Sequence, residues 1–176
     1  MLLSHFLLMA DYNLWMNARL YDSAAQLSAA ELERDRGAFF GSILGTLNHL
    51  VVTDIIWLQR FGAHPSNHRS LEPVRAMPTP ESLRATLRSD LTSLRALRVE
   101  LDEIIGRWVR ELSADDLAQT LEYRNTKGIV FNRRFGLLLQ HLFNHQTHHR
   151  GQTTTLLFQA GVDVGVTDLL TLIPSE

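Results

Sequence analysis

Four of the eight histidines in the chain fall within nine residues, at His141, His145, His148 and His149 of "HLFNHQTHHRGQ". Imidazole is the commonest side-chain ligand for transition metals. Two imidazoles one helical turn apart can hold one ion between them. On a helix that turns by about 100° per residue, His145 lies about 40° from His149, while Leu138, Leu142 and Leu156 lie within about 20° of it. His145 and His149 therefore point with the leucines, toward a core. His141 and His148 sit about 80° and 100° away, at the edge of the apolar face. His141 and His145 share the same spacing, so spacing alone leaves two pairs open, and the wheel favours His145 with His149. His141 and His148 read as neighbours of a site, as pocket-rim residues or as surface.

A third imidazole comes from "ILGTLNHLVVTDIIWLQRF", residues 43–61. His49 shares its helical face with Ser42, Gly45, Thr46, Val52, Thr53 and Ile56, most of them small. Small neighbours leave room above an imidazole, which an open coordination site needs and a close-packed core does not provide. Three protein ligands leave a position for water or substrate, the catalytic kind of site. Three neutral imidazoles suit Zn²⁺, Ni²⁺, Fe²⁺ or Cu²⁺. Against this stands the ordinary reading, because a core histidine alone is more often hydrogen-bonded than metal-bound. Asp54 lies about 140° round the helix from His49, a poor place for a ligand. It reads either as a group that handles protons or as the cap of a buried hydrogen-bond network. His148 and Gln152 are the other candidates for proton handling or for orienting a ligand. One negative is sharp. In H-E-x-x-H proteases the glutamate is the general base, and here that frame reads His145-Gln146-Thr147-His148-His149, whose amide cannot take a proton from water.

The elements that must position these residues are legible from periodicity and caps. Residues 3–27 read as an amphipathic helix, and Ser28 can cap a short turn, "AAELE". Ser42 caps the second long helix, 43–61, which is apolar almost all round and should be central. "GAHPSNHRSLEPVRAMP" reads as a loop. Thr79 before Pro80 reads as the cap and first residue of a third helix running to about residue 110, with Leu83, Leu87, Leu91, Leu94, Leu97, Leu101, Ile104 and Trp108 inward. Ser113 caps a short turn, and "TLEYRNTKGIVFN" reads as a hairpin turning at Gly128. The fourth long helix runs from about 134 to 160 and stops at Gly161. Thr167 is expected to cap one short turn in the tail. The fold class is all-α: a four-helix bundle with one long crossover and a small β-hairpin before the last long helix, in one domain over 1–176.

Composition narrows the function classes. Net charge is −2 and pI about 6.4, with no basic stripe for nucleic acid. Arg124, Lys127, Arg133 and Arg134 form the densest basic group, around a turn, and read as a solvated tip. The chain has no cysteine, which excludes disulfides and a protein thiol nucleophile and fits a reducing compartment. "MLLSHFLLMADYNLW" lacks the basic start of a signal peptide, and no run reaches the ~18 apolar residues that span a membrane. A cytoplasmic protein is expected.

Taken together, "YNLWMN" at 12–17, "GSILGTLNHLVVTDIIWLQRF" at 41–61, "YRNTKG" at 123–128 and "HLFNHQTHHRGQ" at 141–152 resemble the DinB/YfiT-like family of four-helix-bundle metalloproteins. This DinB family is damage-inducible and unrelated to the DNA polymerase of that name. The stretches stand in the family's order and span nearly the whole chain. The resemblance implies a metal held by His49, His145 and His149, and one divalent transition metal per chain is expected, zinc or nickel first and iron or copper next. Where members carry "SIHGTLNH" this chain has Leu44 in place of the first histidine, which lies outside the triad. The resemblance also implies a homodimer formed through the bundle and a small-molecule substrate. Relatives include transferases and isomerases that use low-molecular-weight thiols. The leading reading is a thiol-dependent transferase acting on small electrophiles. The alternatives are a metal-dependent hydrolase without a thiol and a non-catalytic metal-binding stress protein.

Overall fold

The computed structural model describes residues 2–175, so Met1 and Glu176 of the expected domain lie outside the described residues. Four long helices form the body: α1 (Leu2–Ala24), α3 (Ile43–Phe61), α5 (Leu91–Glu111) and α7 (Phe135–Gln159). Short helices α2 (Ala29–Glu33), α4 (Glu72–Arg75) and α6 (Ala114–Ala118) lie in the connections. Strands β1 (Thr120–Arg124) and β2 (Val130–Arg134) pair antiparallel just before α7. α1 packs against α5 and α7, and α3 packs against the same two helices, so the four enclose one core. The fold is all-α with a small hairpin, as the periodicity implies, and the long crossover runs from α3 to α5.

The caps explain where the elements begin and end. Ser42 Oγ accepts from Gly45 N at 3.0 Å and starts α3, satisfying one of the amides a helix leaves unpaired at its first turn. Ser113 and Asp116 form a reciprocal capping box on α6. Gly128, at φ 78°, turns the hairpin, and Gly161, at φ 85°, ends α7.

Three expectations change. The third long helix starts at Leu91, capped by Asp90, and not at Thr79. The preceding stretch is irregular because α3 claims its polar groups. Asn48 Oδ1 accepts from Leu87 N at 2.9 Å and Arg88 N at 3.1 Å, and Asn48 Nδ2 donates to Arg88 O at 3.0 Å. Those are groups a helix would pair internally. Thr79 donates its hydroxyl to Gln59 and caps nothing, and Leu83 is exposed rather than inward. The loop between Gly62 and Pro78 contains α4 and a short 3₁₀ turn at Arg69–Leu71. In the tail, Asp168 precedes the turn at Leu169–Leu172, while Thr167 gives its carbonyl to Tyr12 Oη at 2.7 Å.

One buried circuit ties the four long helices together. Arg150 on α7 donates to Asn13 on α1, and Asn13 donates to Asp102 on α5 at 2.9 Å. Asn17 also donates to Asp102. Asp102 pairs with Arg98 at 2.9 Å, and Arg98 pairs with Asp54 on α3 at 2.6 Å. Asp54 accepts from Gln146, one turn before Arg150 on α7. All of these residues are buried. Burying charge is costly unless each ion is paired and hydrogen-bonded, and here both carboxylates pair with Arg98 while Arg150 reaches them through Asn13. The two asparagines are those of "YNLWMN". Gln146 and Arg150 each follow a histidine of the candidate pair, so the circuit fixes α7 against α3 directly beside His145 and His149.

Candidate metal centre

Helices α3 and α7 bring His49, His145 and His149 together. Nε2 of His149 lies 3.3 Å from Nε2 of His49 and 3.1 Å from Nε2 of His145. Imidazole nitrogens about 2.0–2.1 Å from one tetrahedral ion stand about 3.3–3.4 Å apart. The opposite ring nitrogens decide what faces the centre. His49 Nδ1 donates to the Leu83 carbonyl at 2.8 Å, and His149 Nδ1 donates to Gln152 Oε1 at 2.8 Å. A ring that donates through Nδ1 in its neutral form presents a lone pair at Nε2. Two such lone pairs meet at 3.3 Å with no proton between them, an arrangement that suits a cation. Metal-ligating histidines are oriented in this way, with the far N–H held by a carbonyl or amide oxygen. The donor set therefore fits a divalent transition metal.

The surroundings keep the imidazoles neutral. Burial pushes His145 down to about 3, and the adjacent His149 and His49 rings push the same way. Burial likewise lowers His49 to about 4, against a smaller opposing effect of the Leu83 hydrogen bond. Phe40 stacks on His49, ring centroids 3.7 Å apart, and meets His149 edge-on at 5.5 Å. The Phe40 loop thus covers one face of His49 and takes part of the room expected above it. Gly45 lets that loop in, since a Cβ there would stand 2.2 Å from the Phe40 carbonyl oxygen. Periodicity could not have singled out Phe40, which lies in a connector.

The remaining candidates fall in different places. Gln152 bridges His149 and His148, donating Nε2 to His148 Nε2 at 3.1 Å. His148 is exposed at the rim. His141 packs edge-on against Trp57 and meets the His145 ring at 5.9 Å between centroids, but it is not one of the rings whose nitrogens converge. Asp54 lies in the buried circuit, neutralised by Arg98. A cleft of about 1020 Å³ opens over His49 and His149, walled by Phe39, Phe40, Ile56 and Leu83.

A second group, His64, His68 and Asp116, also has ligand-type atoms within 4.8 Å of one another. Its chemistry differs. Ser66 N–H donates to His64 Nδ1 at 3.2 Å, and Ser66 Oγ donates to Asp116. Ser113 donates to the other carboxylate oxygen. His64 Nδ1 and both Asp116 oxygens thus already take protein protons, whereas Nε2 of His49 and of His149 accepts from no backbone amide or hydroxyl.

Two expected results follow from the triad geometry. His141→Ala and His148→Ala each retain metal at wild-type stoichiometry, read by elemental analysis of untagged protein. Loss of metal in His141→Ala with His149→Ala unaffected would move the ligand pair one turn back. The second concerns pH. Folded His49 and His145 titrate near 4 and 3, below the ordinary 6.5. As pH falls below 6.5, the unfolded chain binds protons that the folded, metal-stripped chain refuses, so stability drops through that window and is level above it for these groups. Denaturation midpoints of stripped wild type should therefore fall more steeply between 6.5 and 4 than those of His145→Ala. Parallel curves would contradict the neutral, buried state of the triad.

Comparison with known proteins agrees with this architecture. A family model described as "DinB family" matches residues 1–176. The chain is also similar to "Protein DinB" of Bacillus subtilis (strain 168), 26% identical over 160 residues, covering 90% of this chain and 87% of that protein. Matched along its whole length, and folded as a helical bundle whose long helices bring three imidazoles to one point, the chain belongs to the DinB family.

Proposed function

We propose that the chain is a metal-dependent enzyme that activates a small ligand at an open position beside His49, His145 and His149. The observation that carries this reading is the meeting of imidazole lone pairs beneath an open cleft. A divalent metal held there supplies Lewis acidity and lowers the pKa of the water or thiol it takes up. The protein's own groups do the rest. Leu83 O and Gln152 Oε1 orient two of the rings, and Phe40 shields them from water. His148, exposed and linked through Gln152, is placed to carry a proton to solvent. Zinc or nickel is the proposed metal, and a cytoplasmic homodimer the proposed setting.

The preferred reaction is transfer of a low-molecular-weight thiol to a small electrophile. The thiol loses its proton, its sulfur forms the new bond, and the leaving group departs with the electron pair. The absence of cysteine means that such a thiol must come from outside the chain. Metal-loaded wild type and His149→Ala, assayed on a panel of alkyl and epoxide electrophiles with and without added thiols, test this. Chelator-sensitive turnover only with thiol supports the transferase. Chelator-sensitive turnover of esters without thiol would replace it with the hydrolase.

A further inference from the structure

The cleft has a polarity along α3. On the helix wheel Ile56 and Arg60 each lie about 20° from His49, on either side, so the three form one stripe. His49 and Arg60 are separated by about 16 Å of helix rise, with Ile56 between them, and all three line the same cleft. The imidazole end is the candidate metal centre. The other end is cationic. Arg60 lays its guanidinium over Trp57, 4.6 Å from the ring centroid, and over the neighbouring Tyr123, at 5.2 Å. Arg124 joins it from the hairpin, held by its bond to the Gly128 carbonyl at 3.0 Å. Arg84 lies nearer the imidazole end, over Phe39 and Phe40.

None of these three guanidiniums has a carboxylate within ion-pair distance among the described residues, and Glu81, which also lines the cleft, pairs with none of them. On the outer surface, by contrast, Arg34, Arg95, Arg107 and Arg110 each reach an acid. Three cations against one carboxylate, over walls of Phe39, Phe40, Ile56 and Leu83, make a cleft that concentrates positive potential. Arg60 is half-buried, and that burial pulls its pKa below the ordinary guanidinium value. A guanidinium stacked on rings keeps its N–H edge free, the geometry that takes a carboxylate or phosphate through two bonds.

We infer that the cleft binds an elongated, amphipathic organic anion: one end at the triad, an apolar middle over Ile56, and a carboxylate-type group on Arg60 and Arg124. This deepens the proposed function and rests on it for the metal end alone. The anion end stands on the arginines.

The test uses metal-loaded protein and two matched probes, suberic acid monohydroxamate and its methyl ester, by titration calorimetry. The hydroxamate can grip a metal in either probe, and only the acid carries the far charge. The acid should bind wild type about tenfold more tightly than the ester, the size expected for one charge-assisted contact. The preference should shrink in Arg60→Gln and vanish in Arg60→Gln/Arg124→Gln, with metal content unchanged. Equal binding of the two probes to wild type overturns the inference, as does a preference that survives in the double variant. So does failure of both probes to bind metal-bearing protein. If the protein takes up no metal, the proposed function fails by itself. Octanoate and octanamide, compared by NMR titration, then read the anion end alone: a carboxylate preference lost in the double variant supports the inference, and no preference overturns it.

Discussion

Replacing His149 by alanine should abolish high-affinity metal binding. His149 is the only ring of the three whose Nε2 is hydrogen-bond close to both others, at 3.3 and 3.1 Å. Removing it leaves His49 and His145 as two ligands without the member that links them, and it takes away the partner of Gln152 Oε1. Loss of an outer-shell partner alone costs about 10–100-fold in affinity, so loss of the central ligand should cost more than that. The result is readable without an assay of activity. A metal at 100 times its Kd stabilises the fold by about 2.7 kcal/mol, so wild type should show a metal-dependent rise in Tm and His149→Ala none. A His149→Ala protein that binds and responds like wild type would remove the triad from consideration.

The second large effect lies in the buried circuit. Asp54→Ala leaves Arg98, a fully buried guanidinium, with Asp102 as its remaining carboxylate. Removing one partner of a buried ion pair costs about 3–5 kcal/mol, which for a chain of this size lowers Tm by roughly 6–20 °C. Asp54→Asn should fall between the two, keeping the shape and losing the charge. Gln146→Glu should also destabilise, because its new carboxylate would face Asp54 and not the metal. It should create no peptidase activity for the same reason. Thermal melts of the three variants check the ordering, and an Asp54→Ala protein as stable as wild type would show that the circuit contributes nothing net.

How far the sequence alone reaches can be judged from particular residues. Ser42, Ser28, Ser113 and Gly161 mark element ends through local chemistry, and each serves in the structure as its residue type implies. The start of α5 was not legible. Thr79-Pro80 is a sound local start signal, but Asn48, far away in the chain, takes the backbone groups that a helix there would need. The face of α7 was legible only in part. A wheel weighted by apolarity centres the buried stripe on the leucines near His149. In the structure Gln146 and Arg150 are as buried as those leucines, while His145 is only partly buried. Polar side chains that pair with one another across four helices look like surface residues to a hydrophobic pattern. The triad was found because His145 and His149 are one turn apart on one element, a local relation. Phe40, Leu83 and the arginines of the cleft come from separate segments whose meeting is a property of the fold.

The most direct test of the central claim is X-ray absorption spectroscopy of the metal in untagged protein. Wild type should hold one metal, lost on His149→Ala. That metal should have three imidazole nitrogens at about 2.0–2.1 Å, plus a light-atom ligand replaced on adding a thiol, with a sulfur distance appearing in its place. A metal with four or more imidazoles, a spectrum unchanged in His149→Ala, or a first shell that no added small ligand alters would contradict an open three-histidine site.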